Sequence, residues 1–277
     1  MLNFTKMQGC GNDYIYIDCF KQTVKDPAAL AIKLSPRRFS IGADGVILIC
    51  TSDRADAKMR MFNADGSEGR MCGNGIRCVG KYLYDNGIAR RDVITVDTLS
   101  GVKTLTVHAE NGVATALSVD MGRAETAPEA LPVLADAPVI NGVIEVGGRE
   151  YTATCVSMGN PHCVVFRGDV EELDIKAEGE QFEKSPLFPE SVNTEFVKVL
   201  GRRELKMRVW ERGAGETLAC GTGASAVCVA GVLTGNSERK VLIHLLGGDL
   251  ELEWDAATNH VFMTGPAVEV FSGTVKA

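Results

Sequence analysis

Apolar positions along the chain follow two rhythms, and the chain runs through them twice. Period two marks "YIYID" from Tyr14, "GVILI" from Gly45 and "KMRMFNADG" from Lys58 as strands, and later "HCVVF", "TEFVKVL" and "LKMRVWERG". Helical spacing appears near "DPAALAIKL" and "EELDIKAEGEQF". It recurs from Gly73 to Tyr84 and from Thr222 to Leu233, with Gly87 and Gly235 where a C-terminal cap would end each helix. After each of these later helices period two returns, in "VITVDTLSGVKTLTVHAENGVATALSV" and in "KVLIHLLGGDLELEWDAATNHVFMTG", as successive strands with tight turns.

The two runs share one register. Shifted by 148 positions without a gap, Gly11-Asn12 falls on Gly159-Asn160, Met59-Arg60 on Met207-Arg208, Glu68 on Glu216, and Gly73 and Gly75 on Gly221 and Gly223. Cys72 falls on Cys220, and Phe62 meets Trp210. The pattern predicts a duplicated α+β chain: two pseudo-symmetric homologous domains, each a strand-rich, barrel-like set around a central helix. Residues 1–120 with 265–277 would form the domain carrying Cys72, and 121–264 the domain carrying Cys220. "APEALPVLADAP" reads as the boundary, and "PAVEVFSGTVK" as a strand returning to the first domain.

Composition narrows the function. The 277 residues hold enough apolar side chains for real cores. A net charge of −7 without long basic runs argues against nucleic acid as the main partner, and no apolar run is long enough to span a membrane. No secretory leader is legible, so the nine cysteines read as reduced thiols in a cytoplasm. None lies in a CxxC, which leaves no expected metal site. A small molecule is the expected partner.

Cys72 and Cys220 each precede a Gly-x-Gly helix start, "CGNG" and "CGTG". Unpaired N–H groups and the helix dipole there favour a thiolate, and lowering a cysteine from about 8.5 to about 7 is worth roughly 2 kcal/mol. The same N–H groups, relieved of Cβ crowding by glycine, suit a carboxylate. Two such thiols on opposite faces of one carbon acid could remove a proton from one side and deliver one to the other, inverting a stereocentre. Two other readings stay open: buried thiols that only pack, and a redox switch closing a Cys72–Cys220 disulfide.

The chain resembles the diaminopimelate epimerase family in "GCGNDYIYID", "FNADGSEGRMCGNG", "SMGNPHCVV", "VNTEF" and "ERGAGETLACGTGASA", which together span both halves. The resemblance implies a cofactor-independent enzyme interconverting LL- and meso-diaminopimelate, with mirrored barrels, an active site between domains, and a homodimer. It makes Cys72 and Cys220 the two bases, with His162 and Glu211 setting their protonation. Asn12, Asn63, Asn160, Asn193, Glu211 and Arg212 would bind substrate, and Gly73, Asn74, Gly221 and Thr222 would hold the reacting carboxylate. Amides donate and accept, as an amino acid end group requires, and an Arg fork suits a carboxylate. Read without the resemblance, His162 could be a hydrogen-bonded strand-edge residue and Asn12 and Asn160 mere turn formers. Gly45, the repeat partner of Asn193, has no side chain where the resemblance implies that some relatives place a polar amide. A proline or hydroxyproline racemase of the same fold is the nearest alternative, and a redox sensor or amino acid binding module the more distant ones.

Overall fold

The computed structural model describes residues 1–276. The chain forms two compact units, Met1–Val119 together with the segment from Thr264, and Asp120–Met263. In the first unit β1 (Leu2–Gly9), β2 (Asn12–Asp18), α1 (Pro27–Leu34), β3 (Gly45–Cys50), β4 (Ala57–Asn63) and β5 (Glu68–Gly69) lead to α2 (Gly73–Asp85). Then come β6 (Val93–Thr98), β7 (Gly101–Glu110) and β8 (Val113–Arg123). After β9 (Gly142–Val146) the second unit repeats the series as β10 (Arg149–Ser157), β11 (Pro161–Phe166), α3 (Ile175–Glu183), β12 (Asn193–Gly201), β13 (Glu204–Glu211), β14 (Gly215–Thr217) and α4 (Gly221–Leu233). It ends with β15 (Lys240–Leu245), β16 (Gly248–Trp254) and β17 (His260–Pro266), and β18 (Val268–Val275) closes the chain.

Strand order is the same in both units. β1 pairs antiparallel with β2, β2 parallel with β3, and β3 antiparallel with β4. β10 to β13 repeat that sequence of pairings. The tail strand β18 lies antiparallel to β1, with Leu2 opposite Val275, while β9 takes the matching place beside β10. Each unit therefore receives its flanking strand from the stretch of chain that follows the other half's last repeated strand.

Strand alternation sorts side chains into two layers per unit. On β2 and β3, Ile15, Ile17, Val46 and Leu48 join Leu30, Ala31 and Leu34 of α1 in an outer core. Tyr16 and Ile47 point the other way, to α2: the Tyr16 hydroxyl donates to Gly75 O at 3.2 Å, and Ile47 packs at Gly75. α2 packs against β1, β2, β6 and β7, and α4 against β10, β11, β12, β15 and β16, so each central helix is wrapped by its own sheet. α4 tolerates this because "GTGASAVCVAGVL" is small and apolar on all sides. Gly87 and Gly235 follow the two helices at φ +71° and +73°, the left-handed conformation that ends a helix.

The Pro- and Ala-rich stretch that reads as a boundary lies inside the second unit. Its Leu131 and Val133 are buried in the core that α3 covers, beside Phe182, Phe196 and Trp210. Among the described residues no helix is long and apolar enough to cross a membrane.

Candidate active site

The chemistry-bearing residues form two half-sites, one at the start of each central helix. Cys72 is the N-cap of α2, with extended backbone (φ −131°, ψ 120°). Its Sγ accepts from Gly75 N–H at 3.3 Å and donates to Asn12 Oδ1 at 3.1 Å. A sulfur thus takes the capping place usually filled by Ser, Thr, Asn or Asp. Asn12 is fixed by its own Nδ2, which donates to Asp44 Oδ2 at 2.7 Å. Tyr14 brings its phenol to Cys72, and burial first, then Cys72 and Asp44, push that hydroxyl far above the usual phenol range.

The first turn of α2 supplies Gly73 and Asn74. Asn74 Oδ1 accepts from Arg77 Nη2 at 3.0 Å, and the fully buried Arg77 also donates to Gly73 O and Pro266 O. Asn63 lies at the end of β4, its Nδ2 donating to Ser67 Oγ at 3.0 Å.

Cys220 caps α4 with nearly the same backbone (φ −119°, ψ 112°), and its Sγ accepts from Gly223 N–H at 3.3 Å. Thr222 Oγ1 lies 3.5 Å from that sulfur and accepts from Asn160 Nδ2 at 3.3 Å. Glu211, at the end of β13, accepts hydrogen bonds from the Thr217 hydroxyl and the Cys220 thiol. Asn193 is buried, donating to Pro161 O at 2.8 Å and accepting from Arg212 N–H at 3.1 Å. The Arg212 guanidinium donates to Glu190 O at 2.9 Å.

His162 is not at a strand edge. β11 runs between β10 and β12, with His162 opposite Val156 on one side and Asn193 on the other. The side chain is fully enclosed, and Nδ1 lies 2.7 Å from Glu195 Oε1, itself fully enclosed.

The second unit overturns the expectation of a thiol lowered by its helix. Cys220 is pushed well above the usual thiol range, by burial first and then by Glu211 and Glu195; hydrogen bonds from Thr222 and Gly223 act the other way and are outweighed. Enclosure penalises the thiolate, and carboxylates beside it add repulsion that the helix end does not offset. Burial likewise raises Glu211 above the usual carboxylate range, against the opposing hydrogen bonds from Thr217 and Cys220 and the attraction of His162. Burial and the two carboxylates thus favour the neutral thiol at Cys220.

Gly45 has a structural reason for its missing side chain. A Cβ there would lie 2.0 Å from Phe62 O, inside the β3–β4 pairing. No local sequence pattern marks Glu195, Tyr14 or Arg77. The register carried one signal: 148 positions before Glu195 stands Ile47, so a carboxylate occupies a place that the other half fills with an apolar residue.

Matches to known proteins cover both halves of the chain. Residues 4–127 and 154–270 match the family model described as diaminopimelate epimerase. A diaminopimelate epimerase of Acetivibrio thermocellus is 55% identical over 275 residues, covering 99% of this chain and 98% of that one. One from Desulfovibrio desulfuricans is 53% identical, covering 98% and 97%. Among solved structures, a phenazine biosynthesis protein of the PhzF family from Bacillus anthracis superposes with a TM-score of 0.70 at 15% identity, covering 100% of this chain and 99% of that one. A hydroxyproline epimerase from Agrobacterium vitis gives 0.68 at 16%, covering 98% and 91%. At such identities these two structures establish the shared fold and nothing more.

Proposed function

The chain belongs to the diaminopimelate epimerase family, and from that premise we propose how it inverts one centre of its substrate. It is an isomerase that interconverts LL- and meso-diaminopimelate. In our reading Cys72 and Cys220 are the two acid-base groups, acting on opposite faces of one α-carbon. The observation that carries this is the repeated cap: two cysteines, 72 and 220, hold the same N-cap conformation and the same sulfur-to-Gly N–H bond at the start of equivalent helices.

In the direction that starts with Cys220 as a thiol, Cys72 takes the α-proton and Cys220 delivers one to the other face. The reverse direction exchanges the roles. The helix starts at Gly73-Asn74 and Gly221-Thr222 hold the reacting carboxylate and stabilise the charge that develops as the proton leaves. Asn12, Asn63, Asn160, Asn193, Glu211 and Arg212 bind the rest of the molecule, where amides and a guanidinium match a second amino acid group. His162 and Glu211 help set the protonation of the two thiols. Because two thiols account for both proton transfers, the reading needs no pyridoxal phosphate, metal or other cofactor. It also places the enzyme in the cytoplasm, on a route to lysine and to the cell-wall cross-linking residue, and as a homodimer.

The test is to replace each sulfur by oxygen. Cys72→Ser and Cys220→Ser should each lower kcat by about 10²–10⁴-fold, the usual worth of a positioned acid or base. Diaminopimelate binding, followed by calorimetry, should persist in both. Near-normal turnover in either variant would remove that cysteine from the chemistry.

A further inference from the structure

Glu195 carries a carboxylate into the interior of the second unit, and none of the substrate-handling roles above needs it. It stands on β12, which pairs in parallel with β11, and faces α4 on the inner side of the sheet. Glu195 and His162 are both fully enclosed, with Oε1 and Nδ1 2.7 Å apart. At that distance one proton lies between the two atoms. Which partner holds it follows from the helix: a Cβ built on Gly223 would fall 2.5 Å from Glu195 Oε1, so the carboxylate occupies the room that glycine leaves at the first turn of α4. The positive end of a helix favours the anion, leaving the proton on the imidazole.

The equivalent place in the first unit acts as an internal control. There Tyr14 and Ile47 stand where His162 and Glu195 stand in the second, and a Cβ on Gly75 would fall 2.7 Å from Ile47 Cδ1. The fold closes around a methyl group in one copy and a carboxylate in the other, so packing does not require the charge. The pair is also incompletely satisfied: His162 Nε2 and Glu195 Oε2 have no hydrogen-bond partner among the described residues. A buried pair kept only for stability would not leave both outer atoms unused, since each costs desolvation.

We propose that Glu195 is a positioning residue, accepting the Nδ1 proton of His162 and so presenting Nε2 unprotonated, as a proton acceptor for a catalytic thiol. This rests on the reading of His162 as a group that exchanges protons during turnover. Other titratable groups near the pair are Cys220 on α4, Glu211 on β13 and Cys163 on β11. The first unit has no such pair at the matching positions, so the two cysteines work in unlike surroundings.

The experiment reads the tautomer apart from the activity. With only four histidines in the chain, long-range ¹H–¹⁵N spectra of the full-length, imidazole-labelled protein resolve each ring, and a His162→Gln spectrum assigns the signal. Wild-type His162 should carry its proton on Nδ1, with Nε2 bare, at the assay pH. Glu195→Ile installs the residue that the first unit uses, and should shift the proton to Nε2. It should also lower kcat about tenfold to a hundredfold, with KM little changed, as loss of an orienting partner does elsewhere. Glu195→Gln keeps the volume, and retention of the tautomer in that variant alone supports an acceptor role, because its amide oxygen can take the same proton. A wild-type His162 protonated at Nε2, or a Glu195→Ile protein with unchanged tautomer and kcat, overturns the proposal. A wild-type protein with the Nδ1–H tautomer and no turnover of diaminopimelate would contradict the epimerase reading instead.

Discussion

At the scale of single residues, two cysteines with the same cap have different chemistry around them. Cys72 touches the neutral amide of Asn12 and the phenol of Tyr14, whereas Cys220 lies with Glu211 and Glu195. Removing one neighbouring carboxylate should be legible in the thiol itself. A raised pKa keeps the neutral form to higher pH, so relieving the repulsion must move the titration down. In Glu211→Gln, the pH profile of Cys220 alkylation should shift to lower pH, and an unchanged profile would show that burial alone sets the thiol. The cysteines were readable because each stands before a Gly-x-Gly helix start. The His162–Glu195 contact was not, since it joins residues 33 positions apart through the register of parallel strands, which no local pattern fixes.

At the scale of elements, the clear period-two segments and both central helices were legible, and the central helices begin and end within a residue or two of expectation. β1 and β10 were missed for a physical reason. "LNFTKMQG" buries Thr5 and Lys6 along with its apolar residues, and "REYTATCVS" buries Thr154, so neither strand alternates cleanly. Lys6 can be buried because its ammonium meets the Asp13 carboxylate and the Gly42 carbonyl. Close approach also explains why certain glycines cannot be exchanged. Gly45→Ala would force a methyl group against the Phe62 carbonyl, and should destabilise the first unit by about 1–3 kcal/mol, the usual range for overpacking. Thermal unfolding would report it as a lower Tm, and an unchanged Tm would mean that β3 and β4 separate at little cost.

At the scale of the whole molecule, the duplication was the most legible feature, because an ungapped register places helix starts, turns and charged pairs at equal intervals. Arg60–Glu68 and Arg208–Glu216 are the same ion pair in the two copies, at 2.8 and 2.7 Å. The Pro- and Ala-rich stretch misled because its composition resembles a linker while its Leu131 and Val133 are buried. Stability against acid depends in part on Asp13. Burial opposes ionisation of Asp13, but hydrogen bonds from Arg37 and Lys6 outweigh it and hold the carboxyl below its usual range. A carboxylate depressed on folding contributes stability above its unfolded value of about 3.9 and loses it as pH falls through the folded one. Urea midpoints of wild type and Asp13→Asn should therefore differ near pH 6 and converge as pH falls below about 4. A constant gap down to pH 2 would show that the carboxylate's charge does not matter.

Proton transfer by two thiols on opposite faces of one carbon can be read from isotope incorporation at early times. Reduced protein is incubated with LL-diaminopimelate in D2O, and the isomers are separated before equilibrium. If Cys72 and Cys220 divide the proton transfers, the meso product should carry deuterium at the inverted carbon while the remaining LL substrate stays almost unlabelled. Equal labelling of substrate and product from the first time points would mean that one base serves both faces, and would rule out two separate thiols.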